Sequence, residues 1–308
     1  MLVLLLLVLA GAGFWVDSTM TRVAALTDYA ERPAPAAGTT WLVVGSDSRV
    51  GLSPEQQAEL ATGGDVGNGR TDTILLVHLP AMTSDATPTL VSIPRDSYVE
   101  IPGYGSDKIN AAFALGGPQL LAQTVEQATG LRIDHYAEVG FGGFAGLVDA
   151  VGGVEMCLAA PIDDPLAGIA LPAGCQRLDG QQALGFVRSR ATPRADLDRM
   201  IHQRQFMSAL IHRVASPAVL LNPLRWYPLA HAAGATLSVD DGDHVWDLAR
   251  LGWALRGDPA TVTVPIGEFT DNGSGSIVVW DSDAAQQLFD ALASDSAVPA
   301  DLLEPAHP

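Results

Sequence analysis

TILLVHL (residues 73–79) is a short, nearly continuous apolar run bounded by turn-forming and polar residues, which is the signature of a strand buried on both faces of a sheet. WLVVGS (41–46) and TLVSI (89–93) have the same character. Further strands are expected at 134–140, 153–158, 261–266 and 276–280. Between and after them, helical spacing covers 118–129, closed by Gly130, then 142–150, 179–187, 196–214, 243–256 and 283–293. This alternation predicts an α/β fold: an α/β/α sandwich with a central mixed sheet flanked by helices on both faces. The 308 residues are 48% hydrophobic and only 17% charged, enough to build a packed core, and no internal repeat is visible.

The first residues, MLVLLLLVLAGAGFWV, carry no charge and would make roughly 22 Å of helix against the ~30 Å of a bilayer core. Residues 1–16 read as a membrane anchor clipped at its cytoplasmic end, with a cleaved signal peptide or a core helix as the alternatives. Residues 17–40, with Pro33, Pro35 and Gly38, read as a stalk, residues 41–294 as the folded domain and residues 295–308 as a loose tail. Either export reading puts the domain outside the cytoplasm. Cys157 and Cys175, the only cysteines, can then pair as a structural disulfide, since two cysteines alone make no tetrahedral zinc site.

The formal net charge is −18, which opposes nucleic-acid binding. Against that background GFVRSRATPRADLDRMIHQRQ (185–205) holds five of the sixteen arginines and only two acids, Asp196 and Asp198. Arg188 and Arg190 lie two apart, while Arg199 and Gln203 are four apart and share a helix face. Three further polar clusters adjoin the predicted strands. GSDSR (45–49) follows one strand directly, GRTDT (69–73) precedes another, and SIPRDSYVEIPG (92–103) places Arg95 and Asp96 just past a third. The sole lysine, Lys108, follows in DKIN (107–110). A turn, a solvated loop, an internal ion pair and a basic surface are the bland readings of these stretches.

Arginines together with separately placed aspartates suit pyrophosphate chemistry, because shifting negative charge on phosphoryl oxygens is neutralised by guanidinium groups and Mg²⁺. Mg²⁺, or Mn²⁺, needs only one or two carboxylates besides the phosphates, and Asp47 and Asp72 would serve. A Walker loop, HExxH and G-x-S-x-G are absent. GFGGFA (140–145) fits a dinucleotide fingerprint only formally, and close helix packing explains its glycines better.

In this order, VVGSDSR, GRTDTILLVHL, LVSIPRDSYVEIPG, DKINAAFALGG, IDHYAEVGFGGFAGLVDAVGGVEM, LDGQQALGFVRSR and DLDRMIHQRQ resemble the LytR-CpsA-Psr family of cell-wall glycopolymer ligases, over about residues 41–210. The resemblance implies a catalytic domain outside the cytoplasm on a single-pass membrane helix. It further implies Mg²⁺-assisted transfer of a glycan from a polyprenyl pyrophosphate carrier to peptidoglycan at a muramic acid C6 hydroxyl, releasing polyprenyl phosphate. CLAAPIDDPLAGIALPAGC (157–175) is similar to the actinobacterial branch, where the polymer is often arabinogalactan. By motif, Asp47 and Asp72 are the metal-associated aspartates. Arg70, Arg95, Arg188, Arg190, Arg199 and Gln203 form the phosphate-binding set, with Lys108 as a further candidate. His202 stands where the family often has a second arginine, and Arg204 follows Gln203, so these two depart from the pattern. A carrier pyrophosphatase, a non-catalytic polyprenyl phosphate binder and a transcriptional regulator are the rival classes; the leader and the charge oppose the last.

Overall fold

In a computed structural model, the three apolar runs lie side by side in one seven-stranded mixed sheet. The structure describes residues 11, 13–47, 53–60, 71–189, 191, 237–257, 259–273 and 275–303, with isolated positions between 202 and 222. The sheet order is β1 (Thr21–Val23), β12 (Leu237–Asp240), β7 (His135–Val139), β2 (Thr39–Ser46), β3 (Thr71–Leu79), β4 (Thr89–Ile93), β13 (Ala260–Thr263). β2 is parallel to β7 and antiparallel to β3, and β4 is antiparallel to β3 and parallel to β13.

Strand alternation divides the apolar residues between two layers. Leu42, Val44, Ile74, Leu76, Val91 and Ile93 pack against α2 (Ile109–Thr129) and α6 (Ser282–Ala293) on one face. Trp41, Val77 and Ala137 pack on the other face against Leu248 and Leu251 of α5 (Val245–Ala254) and Leu255 just past its end. The predicted α/β/α sandwich is the observed one. A second apolar cluster joins α3 (Phe141–Ala150) and α4 (Gly180–Arg188) to the ribbons β8 (Val154–Leu158) with β11 (Gly174–Leu178) and β9 (Ile162–Asp164) with β10 (Ile169–Leu171).

Several boundaries differ from the sequence expectation. Residues 17–40 are not a plain stalk: β1 is an edge strand of the central sheet, Ala25 is buried, and Arg32 pairs with the buried Glu126 at 3.0 Å. Nor is the whole of 295–308 loose. The Asp295 carboxylate bonds His78 Nε2 at 3.0 Å and accepts from Ala81 N, while Val298, Leu302 and Leu303 join the main core. The helix expected at 118 begins at Ile109, with its backbone broken at Gly116–Gly117 just before Pro118, where Gly117 takes φ +65°. Pro265 divides the strand expected over 261–266, so that β13 ends at Thr263 and β14 (Ile266–Asn272) starts a separate hairpin with β15 (Gly275–Trp280). Most of the helix expected over 196–214 lies outside the described residues; its described positions between 202 and 213 are helical. The first ten residues also lie outside them, and among the described residues no helix is long and apolar enough to cross a membrane.

Cys157 and Cys175 stand directly opposite each other in the β8–β11 ribbon and form a disulfide closing an 18-residue separation. Constraining a loop of that size in the unfolded chain is worth about 3 kcal/mol. Reduction, or Cys157→Ser with Cys175→Ser, should therefore lower the thermal midpoint by roughly 8 °C in a calorimetric scan.

At the end of the sheet where β7 begins, His135 Nδ1 donates to Asp243, whose other oxygen accepts from Tyr136 N at 2.9 Å. Burial alone would lower the imidazole pKa, but the hydrogen bond and charge of Asp243, with the charges of Asp247 and Asp134, raise it above its ordinary value. A raised folded-state pKa contributes stability that is complete below the unfolded pKa, about 6.5, and is lost as pH climbs through the folded value. The urea midpoint should fall as pH rises from 6.5 through that value, and His135→Gln should flatten this part of the profile.

Candidate functional site

The sheet topology gathers the predicted polar clusters at one end. The carboxyl ends of β2, β4 and β7 and the amino end of β3 lie together there, since Ser46 pairs with Thr71, Ile93 with Ile74 and Gly45 with Val139. Asp47 follows β2 immediately, Asp72 is the second residue of β3, and Arg95 is two residues past β4. A bulge between Gly45 and Ser46 shifts the register just before Asp47, a device common beside functional sites.

Arg95 Nη1 donates to Asp72 in a short ion pair, and its Nε lies 3.4 Å from Asp96. Lys108 Nζ reaches Asp96 at 3.1 Å, so Asp72, Arg95, Asp96 and Lys108 form one chain of alternating charge. The β5 (Tyr98–Ile101) and β6 (Gly105–Lys108) hairpin carries Lys108 back to Tyr98. Ile109 N and Asn110 N then donate to the Ser97 and Arg95 carbonyls at 2.8 and 3.2 Å, fixing the loop that presents Arg95.

Arg188 is placed by a second construction. Asp179 caps α4 in a reciprocal capping box with Gln182. The helix sits so close to its neighbours that a Cβ at Gly180 would lie 2.3 Å from the Ala145 carbonyl, and one at Gly185 would lie 2.2 Å from Ile169. Past the helix, the buried Ser189 Oγ donates to Asp164 at 2.8 Å. The Arg188 guanidinium is left 4.9 Å from the Phe141 ring centroid, directly after β7, and donates to the Leu60 carbonyl at 3.2 Å. Leu60 caps α1 (Pro54–Glu59), on the connection between β2 and β3.

Gln203 Nε2 donates to the Val187 carbonyl at 3.1 Å, and the His202 ring stacks on Phe186 at 4.6 Å. Both therefore brace α4. Arg70, Arg190, Arg199 and Arg204 lie outside the described residues. Composition and motif spacing did not single out Glu138, which accepts from Ser46 Oγ at 2.6 Å and Tyr136 Oη at 3.1 Å beside Asp47. Its burial, 9% exposed in a central strand, becomes visible only once the strands on either side are placed. Burial, with the neighbouring Glu138 charge, pushes the Tyr136 hydroxyl pKa well up.

Asp47 and Asp72 are the carboxylates at this end of the sheet that could hold a hard cation, and beside Asp72 the buried Thr71 Oγ1 has no hydrogen-bond partner. The one grouping of three metal-capable side chains among the described residues, His135, Asp243 and Asp247, lies at the opposite end of the sheet. Its oxygens already accept from Tyr136 N and His244 N.

The sequence pattern of the LytR_cpsA_psr family matches residues 21–293. The chain is 56% identical over 278 residues to a "Probable cell wall biosynthesis protein LcpB" of Corynebacterium glutamicum, covering 90% of this chain and 66% of that protein. To the "Cell wall biosynthesis protein LcpA" of the same organism it is 35% identical, covering 85% of this chain. The chain thus spans 66% and 57% of the lengths of these two relatives. The fold superposes on a LytR-Csp2A-Psr enzyme from Actinomyces oris with a TM-score of 0.68 at 23% identity, covering 93% of this chain and 99% of that one.

Proposed function

The chain belongs to the LytR_cpsA_psr family, and from that membership we propose that it acts in cell-wall biosynthesis as a phosphotransferase. In this reading it moves a glycopolymer from a polyprenyl pyrophosphate carrier to a muramic acid C6 hydroxyl of peptidoglycan. The observation that supports the proposal is that the Asp72–Arg95 ion pair, Asp47 and the Phe141 ring under Arg188 all lie at the same end of the sheet. Arg188 lies two residues from Phe186, a fully buried member of the second apolar cluster. The charged site thus lies beside the second apolar cluster.

Arg95 and Arg188 hold the pyrophosphate oxygens through charge-assisted hydrogen bonds and keep the phosphorus next to the sugar in line with the incoming hydroxyl. That hydroxyl forms the new phosphorus–oxygen bond as the bond to the polyprenyl phosphate breaks. Its proton passes to a carboxylate of the cluster, and the departing anion stays paired with guanidinium. Asp47 and Asp72, with the Thr71 hydroxyl, would hold Mg²⁺, which when bound withdraws charge from the phosphoryl oxygens. Lys108, through Asp96, keeps Arg95 in place. The disulfide suits an oxidising compartment, in keeping with a domain held outside the cytoplasm by the apolar leader.

The test supplies the full chain with a lipid-linked pyrophosphate glycan and follows polyprenyl phosphate with and without a peptidoglycan acceptor. Acceptor-dependent release supports ligation. Equal release in water alone makes the protein a pyrophosphatase, and lipid binding without turnover makes it a carrier-binding module.

A further inference from the structure

The helix α5 is apolar on two sides. Its inner side, Leu248 and Leu251 with Leu255 just beyond, packs on the sheet. Its outer side presents Trp246, Ala249, Arg250 and Trp253, followed after the helix by Arg256. Trp246 and Trp253 are 51% and 61% exposed, and their seven-residue spacing places them two turns apart on one stripe. The Arg256 guanidinium lies 3.3 Å from the Trp253 ring centroid. Among the described residues no acid shares this stripe, because Asp247 turns aside to accept from His244 N at 3.1 Å.

The stripe is tied to the segment that follows the apolar leader. Asp17 accepts from Val245 N at 3.0 Å and bonds His244 Nδ1 at 3.1 Å, while the His244 ring stacks on Trp246 at 4.2 Å. Three residues before Asp17, in the helix over residues 13–19, Phe14 is 73% exposed, and the sequence preceding it is the uncharged MLVLLLLVLA.

We infer that the outer face of α5, with Phe14 beside it, is a membrane-docking surface that rests in the headgroup interface of an anionic bilayer. Tryptophan settles at that depth because its ring is apolar while its N–H stays wet. Arg250 and Arg256 meet lipid phosphates, and the Arg256–Trp253 stack keeps its charge compatible with partial burial. The neutral leader selects this occupant over a second copy of the chain: the sequence before Phe14 is apolar and uncharged, the composition that enters a bilayer, and Asp17 fastens the residues that follow it to the start of α5. On a chain of charge −18, two cations on an aromatic stripe complement an anionic surface. The inference concerns how the domain sits on the membrane and stands apart from the transfer reaction.

The test reconstitutes the full chain in vesicles of phosphatidylglycerol and brominated phosphatidylcholine and reads tryptophan emission, with no substrate present. Trp246→Phe with Trp253→Phe should reduce the bromolipid-quenchable emission about two-fold relative to the parent, as expected if exposed interfacial rings dominate the quenched signal. Arg250→Gln with Arg256→Gln, which keeps both tryptophans, should weaken quenching in the anionic vesicles and leave it unchanged in vesicles of phosphatidylcholine alone. Unchanged circular dichroism and melting confirm that the variants are folded. Quenchable emission equal to the parent in the tryptophan variant overturns the inference. So does protection of both tryptophans within a cross-linkable pair of chains, which would make the face a dimer interface.

Discussion

Arg188→Ala lowers acceptor-dependent release of polyprenyl phosphate by roughly 10²–10³-fold, the range produced by removing one preorganised donor to a developing anion. The expectation follows from how much of the structure is committed to that side chain. Two glycines let α4 pack against Ala145 and Ile169, Ser189 pins the chain behind the helix, and Gln203 braces Val187. The guanidinium meets Phe141 and Leu60, residues brought there by β7 and by the connection from β2. Because the variant removes a head-group contact and little core, its thermal midpoint should stay near that of the parent. Arg188→Lys should recover only part of the rate, since an ammonium restores charge without the planar fork. A variant as fast as the parent under saturating carrier would remove Arg188 from the site.

Arg32→Met destabilises the fold by about 3–5 kcal/mol, the cost of stripping one partner from a buried ion pair. The Arg32 and Glu126 side chains are 8% and 2% exposed, and Arg32 also donates to the Ile133 carbonyl at 2.9 Å. Without the guanidinium, Glu126 keeps Ile133 N as a donor and loses its counter-charge. Urea denaturation reads the change directly. Arg32→Met with Glu126→Leu should recover most of the loss, because the uncompensated charge goes with its partner. A single-variant effect within about 0.5 kcal/mol is what a surface position gives, and it would return residues 17–40 to the role of a linker.

The central strands were legible because a strand covered on both faces must be apolar along its length, as WLVVGS and TILLVHL are. The edge strand β1 was not. Three residues, Thr21 to Val23, carry no periodicity of their own and become a strand because β12, more than two hundred positions later, pairs with them. The β5–β6 hairpin was hidden in the same way, its polar GSDK half paired by position with Tyr98–Ile101. Asp295 shows the same limit from the other end, since its buried contact with His78 is long-range and nothing nearby announces it.

For the site, the clustering of Asp47, Asp72 and Arg95 at one end of the sheet followed from their places beside predicted strand ends. The division of labour within it did not. Lys108 is bound to Asp96, and Gln203 and His202 hold α4 by hydrogen bonding and stacking. Glu138 was passed over because an isolated acid in HYAEV reads as a solvent-facing position until the strands on either side are known. In α5 the helix was expected, but helical spacing alone does not separate leucines that meet the sheet from tryptophans that face outward.

The central claim is that separate stretches of chain build one head-group site at the carboxyl ends of β2, β4 and β7. A crystal structure of the full chain with a polyprenyl pyrophosphate tests it most directly. The account places the two phosphates between Arg95 and Arg188, within reach of Asp47 and Asp72. Phosphates found at the opposite end of the sheet, beside His135 and Asp243, would contradict it.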